Sequence, residues 1–179
     1  MTAHVRRVQS AVLLTCATLL LAGAAACTDN AAPAASAPDQ AIPTGASAAP
    51  GGCEKTPLWA GAHPGWTASA NPPAGVPYAL SHEGNLVAVL FAQPLRAGTD
   101  IENPANKILW IAREPRNGAE LRLGLRRTDG TGEPVESVEP ANSSPGEIYP
   151  SIVDVPTPGC WSVTATWGGN TATLELAYE

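Results

Sequence analysis

The segment Trp161 to Tyr178 reads WSVTATWGGNTATLELAY, and it constrains the fold more than any other stretch of the 179-residue chain. Trp161, Val163, Ala165 and Trp167 alternate with Ser162, Thr164 and Thr166. Beyond Gly168-Gly169-Asn170, Ala172, Leu174, Leu176 and Tyr178 alternate with Thr171, Thr173, Glu175 and Ala177. Side chains of a strand point alternately to opposite faces, so each run carries one apolar face. The glycines supply the positive φ that a tight hairpin turn requires. Two paired strands with one apolar face must bury that face against a second layer.

The same period recurs upstream. Leu121, Leu123 and Leu125 alternate with Glu120, Arg122, Gly124 and Arg126, which predicts another half-buried strand. Leu86 to Ala92 (LVAVLFA) and Lys107 to Arg113 (KILWIAR) are apolar on both faces and are expected to be central strands. Ile148 to Val155 is rich in β-branched residues, but Pro150 confines it to an edge or a bulge. Glu83-Gly84-Asn85, Asn117-Gly118, Asp129-Gly130 and Pro158-Gly159 punctuate these runs as turns. No segment shows helical periodicity. The expectation is an all-β, antiparallel, immunoglobulin-like sandwich of about seven strands over residues 53–179.

What precedes the strands is of another kind. Arg6 and Arg7 are followed by the uncharged run Ala11 to Ala22, the small residues Gly23 to Ala26, and Cys27. A positive start, a short apolar stretch and a small-residue end describe an export signal. The run is shorter than the ~20 apolar residues that span a bilayer. Ala24-Ala25-Ala26-Cys27 resembles a bacterial lipobox with Ala24 in place of the usual Leu or Val, so residues 1–26 are read as a lipoprotein signal and Cys27 as the lipidated residue. Ordinary cleavage after Ala26, releasing a free product, is the alternative. Residues 27–52 are Ala, Pro, Ser, Gly and Thr with little that is large and apolar, and they read as a disordered tether. A flexible chain of that length spans roughly 25–30 Å. The expected location is the outer face of the cell membrane, held there by N-terminal lipid.

Two cysteines remain beyond the tether, Cys53 and Cys160, and export into an oxidising compartment favours their pairing. Cys160 shares parity with Ser162 and Thr164, which predicts a bridge outside the core, pinning the N-terminal segment to an outer face or sheet edge and not crossing between sheets.

Chemistry is sparse. Ser81-His82-Glu83 places three catalytic residue types side by side, but neighbours on a turn cannot form a nucleophile–base–orienter chain in that order. There is no G-x-S-x-G, H-E-x-x-H or Ser-x-x-Lys motif. His63 lies between Trp59 and Trp66, where burial or capping suits it better than ligation. Asp100, Glu102, Asn103 and Asn106, and more thinly Asp129, Thr131 and Glu133, offer oxygen ligands without following a calcium-loop pattern. The expectation is a non-enzyme with no catalytic residues, metal or cofactor. Removing the signal leaves eight basic and sixteen acidic residues, a formal charge of −8, which argues against nucleic acid as a partner.

Five tryptophans stand against three tyrosines and one phenylalanine. Trp110, Trp161 and Trp167 have core parity. Trp59 and Trp66 precede the first clear strand in a Pro- and Gly-rich segment, where exposed indoles could stack on sugar rings or anchor a protein. They are the candidate ligand-binding residues, for an envelope polymer or another surface protein. The alternative is that the segment wraps the sandwich and buries them.

The segments EGNLVAVLFAQPLRAG (Glu83 to Gly98), ENPANKILWIAR (Glu102 to Arg113) and SSPGEIYPSIVDVPTPGCW (Ser143 to Trp161) resemble a group of small exported actinobacterial proteins without an assigned activity. The resemblance implies an exported, lipid-anchored surface protein and supplies no catalytic residues. PGCWSVTATW is similar to the penultimate strand of bacterial immunoglobulin-like domains, which bears on fold alone.

Overall fold

The computed structural model describes residues 42–98 and 106–179. Within them run ten strands: β1 (Ala46–Cys53), β2 (Thr56–Gly61), β3 (Tyr78–Leu80), β4 (Leu86–Leu90), β5 (Lys107–Ala112), β6 (Leu121–Arg127), β7 (Val135–Glu139), β8 (Ile148–Ile152), β9 (Gly159–Trp167) and β10 (Asn170–Tyr178). One short 3-10 helix, Gly65–Ala70, follows β2. The strands form a six-stranded sheet, β1-β2-β3-β4-β5-β8, and a four-stranded sheet, β10-β9-β6-β7. All pairings between these strands are antiparallel.

The all-β sandwich expected from the alternation is the observed architecture, with ten strands in place of about seven. β9 and β10 meet across Gly168 and Gly169, whose φ of 50° and 86° makes the tight turn. Trp161, Val163, Ala165 and Trp167 face Ala172, Leu174, Leu176 and Tyr178 on the core side. Leu121, Leu123 and Leu125 of β6 join them from the small sheet, and Leu86, Ala88, Leu90, Ile108, Trp110 and Tyr149 from the large one. Trp110 and Trp161 are fully buried and Trp167 is 2 % exposed. Each indole N–H finds an acceptor: Ser151 Oγ at 2.8 Å, Thr157 O at 3.0 Å and Glu114 O at 3.3 Å. A buried N–H left unpaired would cost about 1–3 kcal/mol, so these acceptors make three core tryptophans tolerable.

Pro150 lies in β8, which is an edge strand, as its missing N–H requires. β4 and β5 are central and apolar on both faces. Their outer-face residues Val87, Val89 and Ile111 form a second cluster with Tyr78 and Leu80, flanked by Trp59 of β2, which is itself a strand residue, and covered by Trp66, Ala70 and Val76 from the segment that wraps that face.

Two expectations need correction. Residues 46–52, read from composition as tether, belong to β1, so the folded domain begins before Cys53. Strand β1 gains its place by main-chain pairing with β2, from Ala46↔Gly61 to Cys53↔Thr56, which needs no large side chains. The second concerns the bridge. Cys53 and Cys160 are joined, with Cα atoms 6.0 Å apart, and neither belongs to the apolar core between the sheets. Yet Cys53 ends β1 of the large sheet and Cys160 lies in β9 of the small one, so the bridge does connect the two sheets. It can do so from outside because the β1–β2 turn laps over the β10 edge, where Thr56 Oγ1 accepts the Glu175 N–H at 2.8 Å.

Candidate interaction surfaces

Cys27 and the oxygen-bearing residues Asp100, Glu102 and Asn103 lie outside the described residues. The remaining sequence candidates resolve into structural roles. Asn106 is buried and its amide is fully engaged. Oδ1 accepts from Arg96 N at 2.8 Å, while Nδ2 donates to Arg96 O at 2.7 Å and Asp154 Oδ1 at 2.8 Å. Asp129 accepts from Arg127 at 2.6 Å and 3.1 Å and from Thr131 N and Oγ1, an Asx turn that organises the β6–β7 loop. The Arg127 guanidinium first, then the Thr131 donors, hold the Asp129 carboxyl well below the usual carboxylate range. Among the described residues no group of three or more His, Cys, Asp or Glu is placed to hold a metal ion.

The Ser81-His82-Glu83 turn spends its polar atoms on β10. His82 N donates to Thr173 O at 2.8 Å, and Glu83 accepts from Thr173 N and Oγ1, both at 2.7 Å. His82 Nε2 lies 3.1 Å from both Lys55 O and Thr56 Oγ1, and Ser81 Oγ is bound within its own turn by Asn85 and Leu86. His82 and Glu83 meet at the Thr173 hydroxyl, while Ser81 is turned to its own loop, so the three do not form a chain. They close a sheet edge.

His63 stacks on Tyr78 with ring centroids 4.6 Å apart, and Tyr78 Oη donates to Ala62 O at 2.9 Å. Burial lowers the His63 pKa from its ordinary value, and its Nε2 has no hydrogen-bond partner among the described residues. Trp59 and Trp66 are half-buried against the outer cluster beside it. They therefore form part of the cover over the large sheet, with a remaining exposed surface on the same face.

Sequence reasoning missed two surfaces. The first is a transverse row on the outer face of the large sheet. Phe91 N donates to Lys107 O, and Lys107 pairs with Ile152, so Phe91, Lys107 and Ile152 stand side by side across β4, β5 and β8. Phe91 is 41 % exposed and Ile152 58 %, and the Lys107 ammonium lies 5.2 Å from the Phe91 ring centroid. One step along the sheet, Leu109 and Pro150 are half-buried. Among the described residues, the wrapping segment covers the far end of this face and nothing covers this end. The signal in the sequence was the two-faced apolarity of LVAVLFA and KILWIA, which implies a cover somewhere without saying how far it reaches.

The second surface is the outer face of the small sheet around Gly124. Arg122, Gly124 and Arg126 face outward between Glu136 and Val138 of β7 and Ser162, Thr164 and Thr166 of β9. Gly124 has no side chain to fill its place, and a shallow depression of about 260 Å³ results beside Glu136 and Val138.

No protein-family model matches the chain. No curated protein matches it either. Among solved structures it is similar to one described as "X-ray Crystal Structure of a Putative Lipoprotein from Bacillus anthracis", at 12 % identity and a TM-score of 0.42, over 66 % of this chain and 97 % of that one. At that distance the likeness transfers no function.

Proposed function

We propose that the chain is an exported surface protein, lipid-anchored at Cys27 to the outer face of the cell membrane, whose sandwich binds a partner and catalyses no reaction. The observation that carries the binding role is the open row of Phe91, Lys107 and Ile152. Large side chains on a regular sheet face cost solubility when they stay exposed, and a contiguous apolar patch with a polar rim is the kind of surface that protein interfaces use. Full burial of such a side chain contributes about 1.5–3 kcal/mol, so covering the exposed parts of Phe91 and Ile152 is worth about 1.5–3 kcal/mol together. That is the scale of an interface hot spot. The order of charge, apolar run and Ala24-Ala25-Ala26-Cys27 supports the anchor, and two or more acyl chains would hold it stably.

A photo-crosslinking residue at position 152, expressed in living cells, tests the binding role, with exposed position 171 on β10 of the opposite sheet as control. Adducts to a defined protein at 152 and none at 171 are expected. Equal or absent adducts at both would overturn the role of this face. Mass spectrometry of the mature N-terminus tests the anchor separately, since an unmodified terminus would end that part of the proposal.

A second reading is an envelope-polysaccharide-binding module using Trp59 and Trp66. It is supported by the surface both indoles keep on the same outer face. Soluble cell-wall fragments would then quench tryptophan fluorescence, and a Trp66→Ala variant would lose most of that response.

A further inference from the structure

Two open sheets have four edges, here β1, β8, β10 and β7. An exposed edge offers unpaired N–H and C=O groups, and natural sheets block such edges. Three of the four carry groups that block part of their length. In β10 the closing pair Asn170↔Trp167 directs the main chain of Thr171, Thr173 and Glu175 outward. Asn85 donates to Thr171 O at 3.2 Å, His82 and Glu83 engage Thr173, and Thr56 accepts from Glu175 N. In β8, the inward bonds at Glu147 and Val153 leave Ile148, Pro150 and Ile152 directed outward. There Pro150 has no N–H, and Arg116 Nη1 donates to Ile148 O at 2.8 Å. In β1 the pairing is irregular between Ala49 and Cys53, and Gln93 Nε2 donates to Pro50 O at 3.1 Å.

β7 differs. The bond from Thr128 N to Cys160 O sets the phase of the β6–β9 ladder, which assigns Arg122, Gly124 and Arg126 to β9 and Leu121, Leu123 and Leu125 to β7. Val135, Ser137 and Glu139 therefore bond inward, and the N–H and C=O of Glu136 and Val138 point out of the sheet. Among the described residues nothing in the protein bonds to these four groups. The strand reads VESVE, with no proline inside it, and Val138 is 44 % exposed.

We propose that the free edge of β7 pairs with an extended segment of a partner protein that carries a cation and an apolar residue two positions apart on one face, opposite Glu136 and Val138. Strand addition of this kind takes affinity from the main chain and specificity from alternate side chains. Cross-strand neighbours sit about 4.5–5.5 Å apart, so the side chain facing Glu136 would meet its carboxylate directly. The depression over Gly124 leaves room there for a long Lys or Arg stem. Glu133 precedes the strand and Glu139 ends it, and neither they nor Glu136 has an ion-pair partner among the described residues. The acids also select against a second copy of this chain. Self-pairing would gather six carboxylates around a five-residue ladder. This names a partner class for the interaction module proposed above and rests on that reading.

The test uses the full mature chain and two synthetic peptides, Thr-Lys-Thr-Val-Thr-Lys-Thr and the same peptide with Glu in place of Lys. The lysine peptide is expected to slow amide exchange at Glu136 and Val138, to bind at least tenfold more tightly than its acidic counterpart, and to weaken as salt rises. Glu136→Lys, an exposed substitution whose fold is checked by circular dichroism, should reverse the preference. Unchanged exchange at both amides with millimolar peptide would overturn the proposal. Equal binding of the two peptides, or a protein that dimerises through β7 on its own, would overturn it too. Those failures would leave the crosslinking result at position 152 untouched, so the edge and the wider interaction role are judged separately.

Discussion

Breaking the Cys53–Cys160 bridge should lower stability by an amount that its position in the fold sets near the top of the usual range. The two cysteines are 107 residues apart, and the loop between them contains every strand from β2 to β8. On the chain-entropy account a cross-link closing about 100 residues restricts the unfolded chain by about 4.7 kcal/mol. Domains of this size are stable by about 5–15 kcal/mol in total, so the bridge would supply a third or more of what the fold has. With a urea dependence of about 2 kcal/mol per molar, the unfolding midpoint should fall by about 2 M. Urea titration of the oxidised chain, the reduced chain and a Cys53→Ser/Cys160→Ser variant, followed by tryptophan fluorescence, would measure it. The bridged strand β1 should also open first. Hydrogen exchange at Ala49 to Cys53 is expected to quicken on reduction by more than exchange in central β4 and β5. A midpoint shift below about 0.5 M, or faster exchange spread evenly over both sheets, would show that the bridge does not hold the β1 edge to the small sheet.

Acid should weaken the cover over the large sheet through His63. Burial keeps its pKa below the ordinary 6.5, so on acidification the unfolded chain takes up the proton before the folded one, and stability falls with pH from about 6.5 downward. A His63→Phe variant, which keeps an aromatic ring against Tyr78, should flatten the urea midpoint between pH 7.5 and pH 5; an unchanged slope would assign the effect elsewhere. Glu83→Ala removes the acceptor of Thr173 N and Oγ1 and should cost about 1–2 kcal/mol, while Glu83→Gln should recover part of it. Thermal unfolding of the three proteins measures this, and the alanine variant should also aggregate faster because the β10 edge is then open.

Much of the sandwich was legible in the chain because side-chain alternation is a local property. Leu121, Leu123 and Leu125, the two faces of the Trp161–Tyr178 hairpin, and the edge position forced by Pro150 could each be read without knowing their neighbours. The turn at Gly168-Gly169 followed from the same local chemistry. Which strands pair is not local. Residues 46–52 carry small side chains and no period, and they become a strand only because β2 presents a partner main chain. The parity of Cys160 correctly placed it off the core side, yet the sheet to which Cys53 belongs is decided by how the β1–β2 turn crosses β10. The uniform apolarity of β4 and β5 announced two buried faces, and only the path of residues 61–77 shows that the cover stops short of Phe91 and Ile152. The open edge of β7 is the sharpest case. VESVE carries no local sign of a free edge; that shows only in the assembled sheets, where Asn85, Thr56, His82, Glu83, Arg116 and Gln93 are brought from afar to the other edges, Pro150 acts within β8, and nothing among the described residues bonds to the outward groups of β7.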